Sequence, residues 1–483
     1  MKLSEILRDL TVLSSTADGD TEISGVSYDS RRTQPGDLFV AVKGFSSDGH
    51  RFIPTALAKG AAAVLCEDAP EGGVPYVRIA DCRLGLALAS RNFFGDPAGE
   101  MTLIGITGTS GKTSSSYLIK HLLESCLHAR VGLIGTNGHM IGEEFLHSDY
   151  TTPESYELQK LFRRMADAGC SHVVMEVSSH SLALERVAGL HFDVALYTNL
   201  SQDHLDFHRT MEDYAAAKKK IFAMCSRACV NADDAHAAYM TAGESCPVLR
   251  YAIDAEAELR AESVELSASG VRFDAVYGDA RETVSLAIPG LFSVHNALGV
   301  LAVGLSLGLT LRDCAAALCD ASGVKGRLEN VPTDGDYSVI IDYSHKPDAL
   351  ENALNTLRPV TRGRLIVLFG CGGDRDRLKR PIMGRIAAQL ADLCIVTSDN
   401  PRTEEPEAII DEILAGMEDS STPVLRICDR AEAIRAALDK ARGGDVILLA
   451  GKGHEDYQIV GHEKRHMDER EIVAEYLEKR KRL

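Results

Sequence analysis

The chain has 483 residues, 45% of them apolar, which is enough for about three domains with cores of their own. Its 52 basic and 70 acidic residues leave a formal charge of −18. That balance disfavours nucleic acid and anionic membranes as main partners, since both reward clustered Lys and Arg. The opening MKLSEILRDL is charged and unlike a signal peptide, and no apolar run approaches the length of a bilayer span. The 12 cysteines include no C-x-x-C pair, and most (Cys66, Cys126, Cys394) sit in apolar settings as reduced core residues. Cys371, inside a glycine loop, is the exception. A cytoplasmic protein is expected.

Residues 1–98 mix short strands (23–28, 37–42, 62–66) with a helix at 53–59. Between the first two strands stands Asp29-Ser30-Arg31-Arg32. A Ser and two Arg at a strand end suit a phosphate or a ribose, and equally a solvated turn. The Asp96-Pro97-Ala98-Gly99 turn closes this region.

The second region, 99–331, opens with Leu103–Thr113, read LIGITGTSGKT. An apolar strand (103–106), a loop with Gly108, Thr109, Ser110 and Gly111, then Lys112 and Thr113 at the start of a helix (114–127) make a phosphate cradle. Loop N–H groups and the helix dipole face the anion, Lys112 supplies a point charge, and the Thr113 hydroxyl suits Mg²⁺. Strict P-loop spacing needs glycine where Ile106 stands, so the loop is a variant that predicts nucleoside triphosphate binding.

Alternating strands and helices follow: a strand at 131–134, a helix from Thr151-Thr152-Pro153 to Ala168, and strands at 172–177 and 194–199. The carboxyl ends of parallel strands line the ligand crevice of such a sheet. Glu176 and Asp203-His204 therefore fall beside the cradle. A carboxylate inside the apolar VVMEVSS needs either a metal ion or a salt bridge. A long helix through Tyr214–Lys220 carries three successive lysines, of which Lys218 follows three alanines and Lys219 and Lys220 read as a solvated face. Residues 247–290 alternate polar and apolar and predict antiparallel strands. Asn296 near the next helix start suits a cap or a base contact, and Arg327 ends the region within reach of phosphates.

The last region, 332–483, predicts a second parallel sheet. Strands at 339–341, 365–369, 393–397 and 446–450 run into the polar loops DYSHKP, GCGGDRDRLKR, SDNPR and GKGHE. Together they describe one binding face holding both signs of charge, suited to a zwitterion. The terminal KRKRL reads as a solvated helix end.

GTSGKT, EVSSH, NLSQDHLDFH, YAAAK, HN at 295–296, GRLE, DYSHKP, GCGGDRD, SDNPR and GKGHEDYQ occur in this order. The set resembles the Mur ligases, over about residues 24–468, and within them the branch that adds the third amino acid of the peptidoglycan stem peptide. The resemblance implies an α/β protein of three domains. These are a smaller N-terminal α/β domain binding UDP (1–98), a central P-loop-type ATPase parallel sheet (99–331) and a C-terminal Rossmann-like sheet binding the amino acid (332–483). It implies an ADP-forming, ATP- and Mg²⁺-dependent ligase acting as a monomer, with UDP-N-acetylmuramoyl-L-alanyl-D-glutamate and meso-diaminopimelate as substrates.

By the same resemblance the ATP contacts are Gly108 through Thr113, Asn296, Arg327 and Asp342. The metal ligands are Thr113, Glu176, His204 and Lys218, the last as a carbamylated lysine whose charge is reversed. Lys112, Lys218, His204 and Glu176 form the catalytic set. Ser30, Thr151, Thr152, Ser178 and Arg186 contact the UDP-linked dipeptide, where Leu184 stands in place of the Gln of many relatives. Arg375, Asp399, Asn400, Pro401, Arg402, Gly451 and Glu455 contact the diamino acid. Arg402 has a physical reason, since diaminopimelate has a carboxylate that lysine lacks and a guanidinium grips it with two bonds. A lysine-adding relative, a folylpolyglutamate synthase and a P-loop switch without ligase activity are the competing readings. The predicted sites lie on different domains, so domain closure is expected to assemble them.

Overall fold

The structure is a computed structural model that describes every residue except 45, 46, 149, 322, 482 and 483, and only the backbone of 481. The end of the expected solvated tail therefore lies outside the described residues. The chain forms two compact units, Met1–Leu259 with Gly299–Thr310, and Arg260–Leu298 with Leu311–Leu483.

The first unit holds two sheets. Strands β1 (Ser14–Ser15), β2 (Gly25–Ser27), β3 (Asp37–Val40), β4 (Ala63–Cys66) and β5 (Tyr76–Arg78) pair in the order β1-β5-β4-β3-β2, parallel apart from β1. Leu38, Val40 and Leu65 fill its core. The second sheet contains β6 (Thr102–Thr107), β7 (Val131–Gly135), β8 (Gly138–Ile141), β9 (Glu144–Leu146), β10 (His172–Glu176), β11 (Phe192–Tyr197), β12 (Cys225–Asn231) and β13 (Val248–Ala252). Their order is β13-β12-β11-β6-β10-β7-β8-β9, with antiparallel pairing only at β7-β8-β9. Unbroken aliphatic runs make the central strands, as expected of parallel strands covered on both faces. Leu103, Phe162, Val173 and Phe192 are fully buried in one core.

Three expectations need correction. The helix expected from Thr151 begins at Ser155, because Pro153 pushes the preceding residue toward extended backbone and the Thr152 hydroxyl is bonded elsewhere. The long helix around Lys218 is Met211–Lys219, nine residues, and then tightens into a 3₁₀ turn, Lys220–Met224, that buries Ile221 and Phe222. The first strand of 247–290 is parallel, not antiparallel, since the short helix Ala237–Thr241 gives β12 and β13 a crossover connection.

The second unit contains β14 (Leu259–Ser267), β15 (Gly270–Tyr277) and β16 (Ala280–Leu286), in the order β16-β15-β14 with β15 and β16 antiparallel as expected. It also contains β17 (Glu329–Val331), β18 (Ser338–Asp342), β19 (Leu365–Phe369), β20 (Leu393–Val396), β21 (Val424–Arg426) and β22 (Val446–Ala450), ordered β17-β18-β22-β19-β20-β21. Only β17 is antiparallel. Ile341, Leu368, Ile395 and Leu449 form its core. A hairpin of β23 (Tyr457–Val460) and β24 (Glu463–His466) follows.

Register decides where the chemistry falls. Ile106 pairs with both Glu176 and Leu196, so the cradle loop, Glu176 and the Thr198-Asn199 turn leave the sheet side by side. In the second unit Asp342 pairs with Ala450 and Phe369 with Val396, which aligns the four polar loops at one edge. Among the described residues no helix is long and apolar enough to cross a membrane.

Candidate active site

The cradle is strapped to the end of β11. Thr109 donates its N–H to Asn199 O (2.9 Å), and Ser110 donates N–H and hydroxyl to Asn199 Oδ1 (3.0 and 3.2 Å). Thr198 Oγ1 donates to Ser110 O at 2.7 Å, and the Thr109 hydroxyl bonds Tyr214 Oη at 3.1 Å. A Cβ on Gly108 (φ +151°) would stand 1.9 Å from Thr198 Oγ1, so only glycine permits this approach. Gly111 takes φ 80° at the cap of the helix Lys112–Leu127.

Two lysines converge on one peptide oxygen. Lys112 Nζ donates to Gly108 O (2.7 Å) and Thr109 O (2.9 Å), and Lys218 Nζ donates to Gly108 O at 2.8 Å. Lys218 is 1% exposed. Burial, and then the charge of Lys112, push its amine well below the ordinary lysine range. Lys219 and Lys220 are more exposed, donating to Ala242 O and Glu185, so burial singles out the lysine after the three alanines.

Glu176 is fully buried, yet needs no salt bridge. Thr113 Oγ1 donates to its Oε2 (3.1 Å), Thr136 N to Oε1 (2.9 Å) and Thr136 Oγ1 to Oε2 (3.1 Å). Hydroxyl and N–H donors thus take the place of the salt bridge expected as the alternative to a metal. A hydroxyl and a carboxylate this close are hard donors that fit Mg²⁺, which takes one or two protein oxygens and draws its other ligands from phosphates and water. Among the described residues no group of three or more His, Cys, Asp or Glu is arranged to hold a metal. His204, at φ 54°, opens the short helix Leu205–His208. Its ring stands edge-on to His180 at 4.8 Å, and burial lowers its pKa, with Lys112 and Lys218 adding to the effect.

A second cluster runs from Glu176 outward. Thr152 Oγ1 donates to Glu176 O (2.8 Å) and accepts from Ser178 N (3.2 Å), while Ser178 Oγ caps the helix Ser179–Ala183. Arg186 donates to Thr152 O (3.2 Å) and pairs with Glu154 (2.6 Å). Thr151 and Thr136 hydroxyls meet at 3.0 Å. Nearby a cavity of about 200 Å³ is lined by Tyr28, Val42, Arg83, Glu154 and Leu184. Leu184 thus gives an apolar wall where a glutamine would have put an amide. Ser30 is buried two residues beyond Tyr28.

The second unit brings its four loops together. Gly451 N donates to Asp342 O (2.9 Å), and the Tyr343 and His454 rings lie 4.8 Å apart. Gly373 packs on the Pro401 carbonyl so closely that a Cβ would lie 1.9 Å from it. Asp342 accepts from Leu328 N (2.8 Å) and from Ser344, and burial raises its pKa. Arg327 lies over the Tyr343 ring (5.4 Å), Asn296 is buried in the helix Leu291–Ser306, and Arg375 is exposed. Arg402, at φ 53°, donates Nη1 to Gly373 O (2.9 Å). Asp399 is buried with Oδ2 unbonded, 4.0 Å from Arg430. Asn400 Nδ2 donates to Glu455 Oε2 at 2.9 Å.

Sequence reasoning missed Thr136, Asn199 and Arg380. The last is fully buried, donates to Glu404 and Glu412, and reaches Gly372 O (3.3 Å), while Glu404 accepts from Asp374 N (2.6 Å). This pair holds the two loops that carry Arg375 and Arg402. Asn199 lies in a polar run after a strand and was open to detection; Arg380, the last residue of GCGGDRDRLKR, stands in the first turn of the helix Lys379–Leu390 among other basic residues, and nothing local marked it as the buried one. Cys371 is buried and its thiol is pushed up to about 12, so it packs rather than reacts.

Family comparisons agree over the length of the chain. "Mur ligase family, catalytic domain" matches residues 22–84, "Mur ligase middle domain" 106–304 and "Mur ligase, glutamate ligase domain" 326–453. The chain is 49% identical over 461 residues, 95% of each partner, to the UDP-N-acetylmuramoyl-L-alanyl-D-glutamate--2,6-diaminopimelate ligase of Caldanaerobacter subterraneus subsp. tengcongensis. It is 43% identical to the ligase of the same name from Clostridium botulinum, over 99% of both chains. A solved structure of such a ligase superposes with a TM-score of 0.77 at 32% identity, covering 100% of this chain and 99% of that one.

Two measurements check this geometry. Gly108→Ala is expected to cost about 1–3 kcal/mol of stability and to weaken nucleoside triphosphate binding about tenfold or more, read by thermal denaturation and nucleotide titration. Arg380 holds the Glu404 carboxyl down at about 2, against an ordinary 4.5. A lowered carboxylate contributes stability that is present above pH 4.5 and lost as pH falls toward about 2. Glu404→Gln is therefore expected to lower Tm at pH 7 and to flatten its decline across that window.

Proposed function

The chain belongs to the Mur ligase family, and from that premise we propose that it joins meso-diaminopimelate to UDP-N-acetylmuramoyl-L-alanyl-D-glutamate with consumption of ATP. The observation that carries the ligase chemistry is the strapped cradle, where Lys112 and Lys218 meet at Gly108 O beside Thr113 and Glu176. The D-Glu γ-carboxylate attacks the γ-phosphorus, the bond to ADP breaks, and an acyl phosphate forms. The diaminopimelate amine then attacks the acyl carbon, loses a proton and expels phosphate through a tetrahedral intermediate. Two anions must meet in the first step, so Lys112 neutralises phosphate charge while the loop N–H groups orient it. Thr113, Glu176 and His204 would hold Mg²⁺, which supplies further charge neutralisation at the phosphates.

Lys218 is suited to carbamylation, because the neutral amine that burial favours is the form that adds CO₂, giving a carbamate and releasing a proton. The resulting anion beside Lys112 would join the Mg²⁺ ligands. Thr151, Thr152, Ser178 and Arg186 take the muramoyl dipeptide, and Ser30 the uridine side. Asn296, Arg327 and Asp342 take the nucleotide. Arg375, Asp399, Asn400, Pro401, Arg402, Gly451 and Glu455 take the diamino acid, with Arg402 on the carboxylate that lysine lacks. Domain boundaries near 98/99 and 331/332 are proposed on the resemblance alone. We propose the cytoplasm as the site of the reaction, since it draws on ATP and a nucleotide-linked substrate, and a monomer as the acting form, as the resemblance implies.

Phosphate release from ATP with the UDP-linked dipeptide tests this. Release is expected with meso-diaminopimelate and to fall about 10²-fold or more with L-lysine; release indifferent to either amino acid would sink the ligase reading. Lys112→Ala is expected to lower kcat at least about 10²-fold with an unchanged Tm, and near-normal turnover would refute the cradle assignment.

A further inference from the structure

Lys452 has no part in the reading above, although it is fully buried in the Gly451-Lys452-Gly453 turn at the end of β22. Its Nζ donates to Asn400 Oδ1 and to Glu455 Oε2, both at 2.8 Å, and lies 5.2 Å from the Tyr457 ring centre. Asn400 Oδ1 also accepts from Ile459 N at 2.9 Å. The carbonyl oxygen of the Asn400 amide is thus used twice inside the protein. One hydrogen of its Nδ2 goes to Glu455 Oε2 at 2.9 Å. What Asn400 can offer a ligand is therefore a donor and nothing else. Glu455, with Oε2 taken by Lys452 and Asn400 and with Tyr457 also bonded to its carboxylate, remains an anionic group with acceptor capacity for a cation.

We infer that Lys452 is the positioning residue that sets the polarity of the amino-acid subsite, fixing Asn400 as a donor for a carboxylate and Glu455 as the acceptor for an ammonium. This rests on the proposal that these loops hold the incoming diamino acid. The pairing has a consequence that packing alone lacks. An apolar residue of similar volume would fill the same space, since replacing a buried ion pair by well-packed apolar groups is often neutral for stability. Without the ammonium, however, Asn400 Oδ1 is held by Ile459 N alone, and the half-buried Glu455 carboxylate loses its cation. Both changes loosen the charge pattern that a zwitterion meets.

The test is steady-state phosphate release by the full chain, varying diaminopimelate at saturating ATP and dipeptide, then varying ATP. Lys452→Met is expected to raise KM for diaminopimelate about 30-fold or more while kcat falls less than about threefold and KM for ATP stays within about twofold. Glu455→Gln is expected to do the same. The double variant, which leaves no unpaired buried charge, is expected to melt like the unsubstituted protein and to show no further rise, because the two residues act as one unit. It also supplies the reading if Lys452→Met alone does not fold. A KM for diaminopimelate within about twofold of the unsubstituted protein in the double variant, or in Lys452→Met, overturns the inference. So does a parallel rise in both KM values, which marks a merely structural lysine. Failure of the unsubstituted protein itself to respond to diaminopimelate is a different result: it removes the ligand assignment, and the inference with it.

Discussion

The Gly108 carbonyl is the point on which the first unit turns. It lies where β6 stops, close enough to Thr198 that no side chain fits, and it accepts from Lys112 and Lys218 together. Two full positive charges on one oxygen repel, and one of the two amines has no solvent to relieve it. Burial settles the conflict by favouring the neutral form of Lys218, so that the pair carries one reliable cation, Lys112, at the mouth of a dipole-lined loop. The asymmetry between a reachable cation and a buried amine follows first from depth and then from the charge of Lys112 beside it.

The two units hold their polar groups by different means. In the first, main-chain and hydroxyl groups do most of the work: Asn199, Thr198, Thr136 and Thr152 tie the cradle, Glu176 and Ser178 into one hydrogen-bonded run. Such groups satisfy one another with little desolvation penalty, and they hold the loop in the shape its ligand needs. In the second unit ion pairs predominate: Arg380 with Glu404, Lys452 with Glu455, Arg430 with Glu469. Each is costly to bury and contributes little net stability, but loss of either partner is penalised strongly, so the geometry is tightly specified. A phosphate can be held by many N–H groups; a zwitterion must be told end from end.

The strands and their carboxyl-end loops were legible because the signals are local: aliphatic runs four to six residues long, followed by glycine, proline and charge. The helix start at Ser155 was not, since it depends on Thr152 being bonded to Glu176 O from another strand. Glu176 stood out as an anomaly, yet its resolution lay in Thr136, forty residues upstream and unremarkable by itself. Lys218 was set apart from Lys219 and Lys220 only by three alanines, which gave it little preference; the YAAAK resemblance singled it out, and its burial is what the structure adds. Arg380 escaped because its acids, Glu404 and Glu412, are 24 and 32 residues away along the chain; Lys452 has its acid only three residues on, at Glu455, but its burial against Asn400, 52 residues away, left no local mark.

A chain with a formal charge of −18 that holds anionic ligands must do so against its own long-range field. Salt confines that field to about 8 Å, so what a ligand meets at contact is set by neighbours rather than by the sum. Lys112 and Arg402 donate to backbone oxygens of the loops they serve, while Arg186 divides its donors between Thr152 O and the Glu154 carboxylate. A cation parked on a carbonyl gives up less when an anion displaces it than one locked to a carboxylate. The cations that are locked to carboxylates, Arg380, Arg430 and Lys452, are the buried ones that shape the loops. The division between a cation that binds and a cation that holds is thus drawn by the acceptor each one faces.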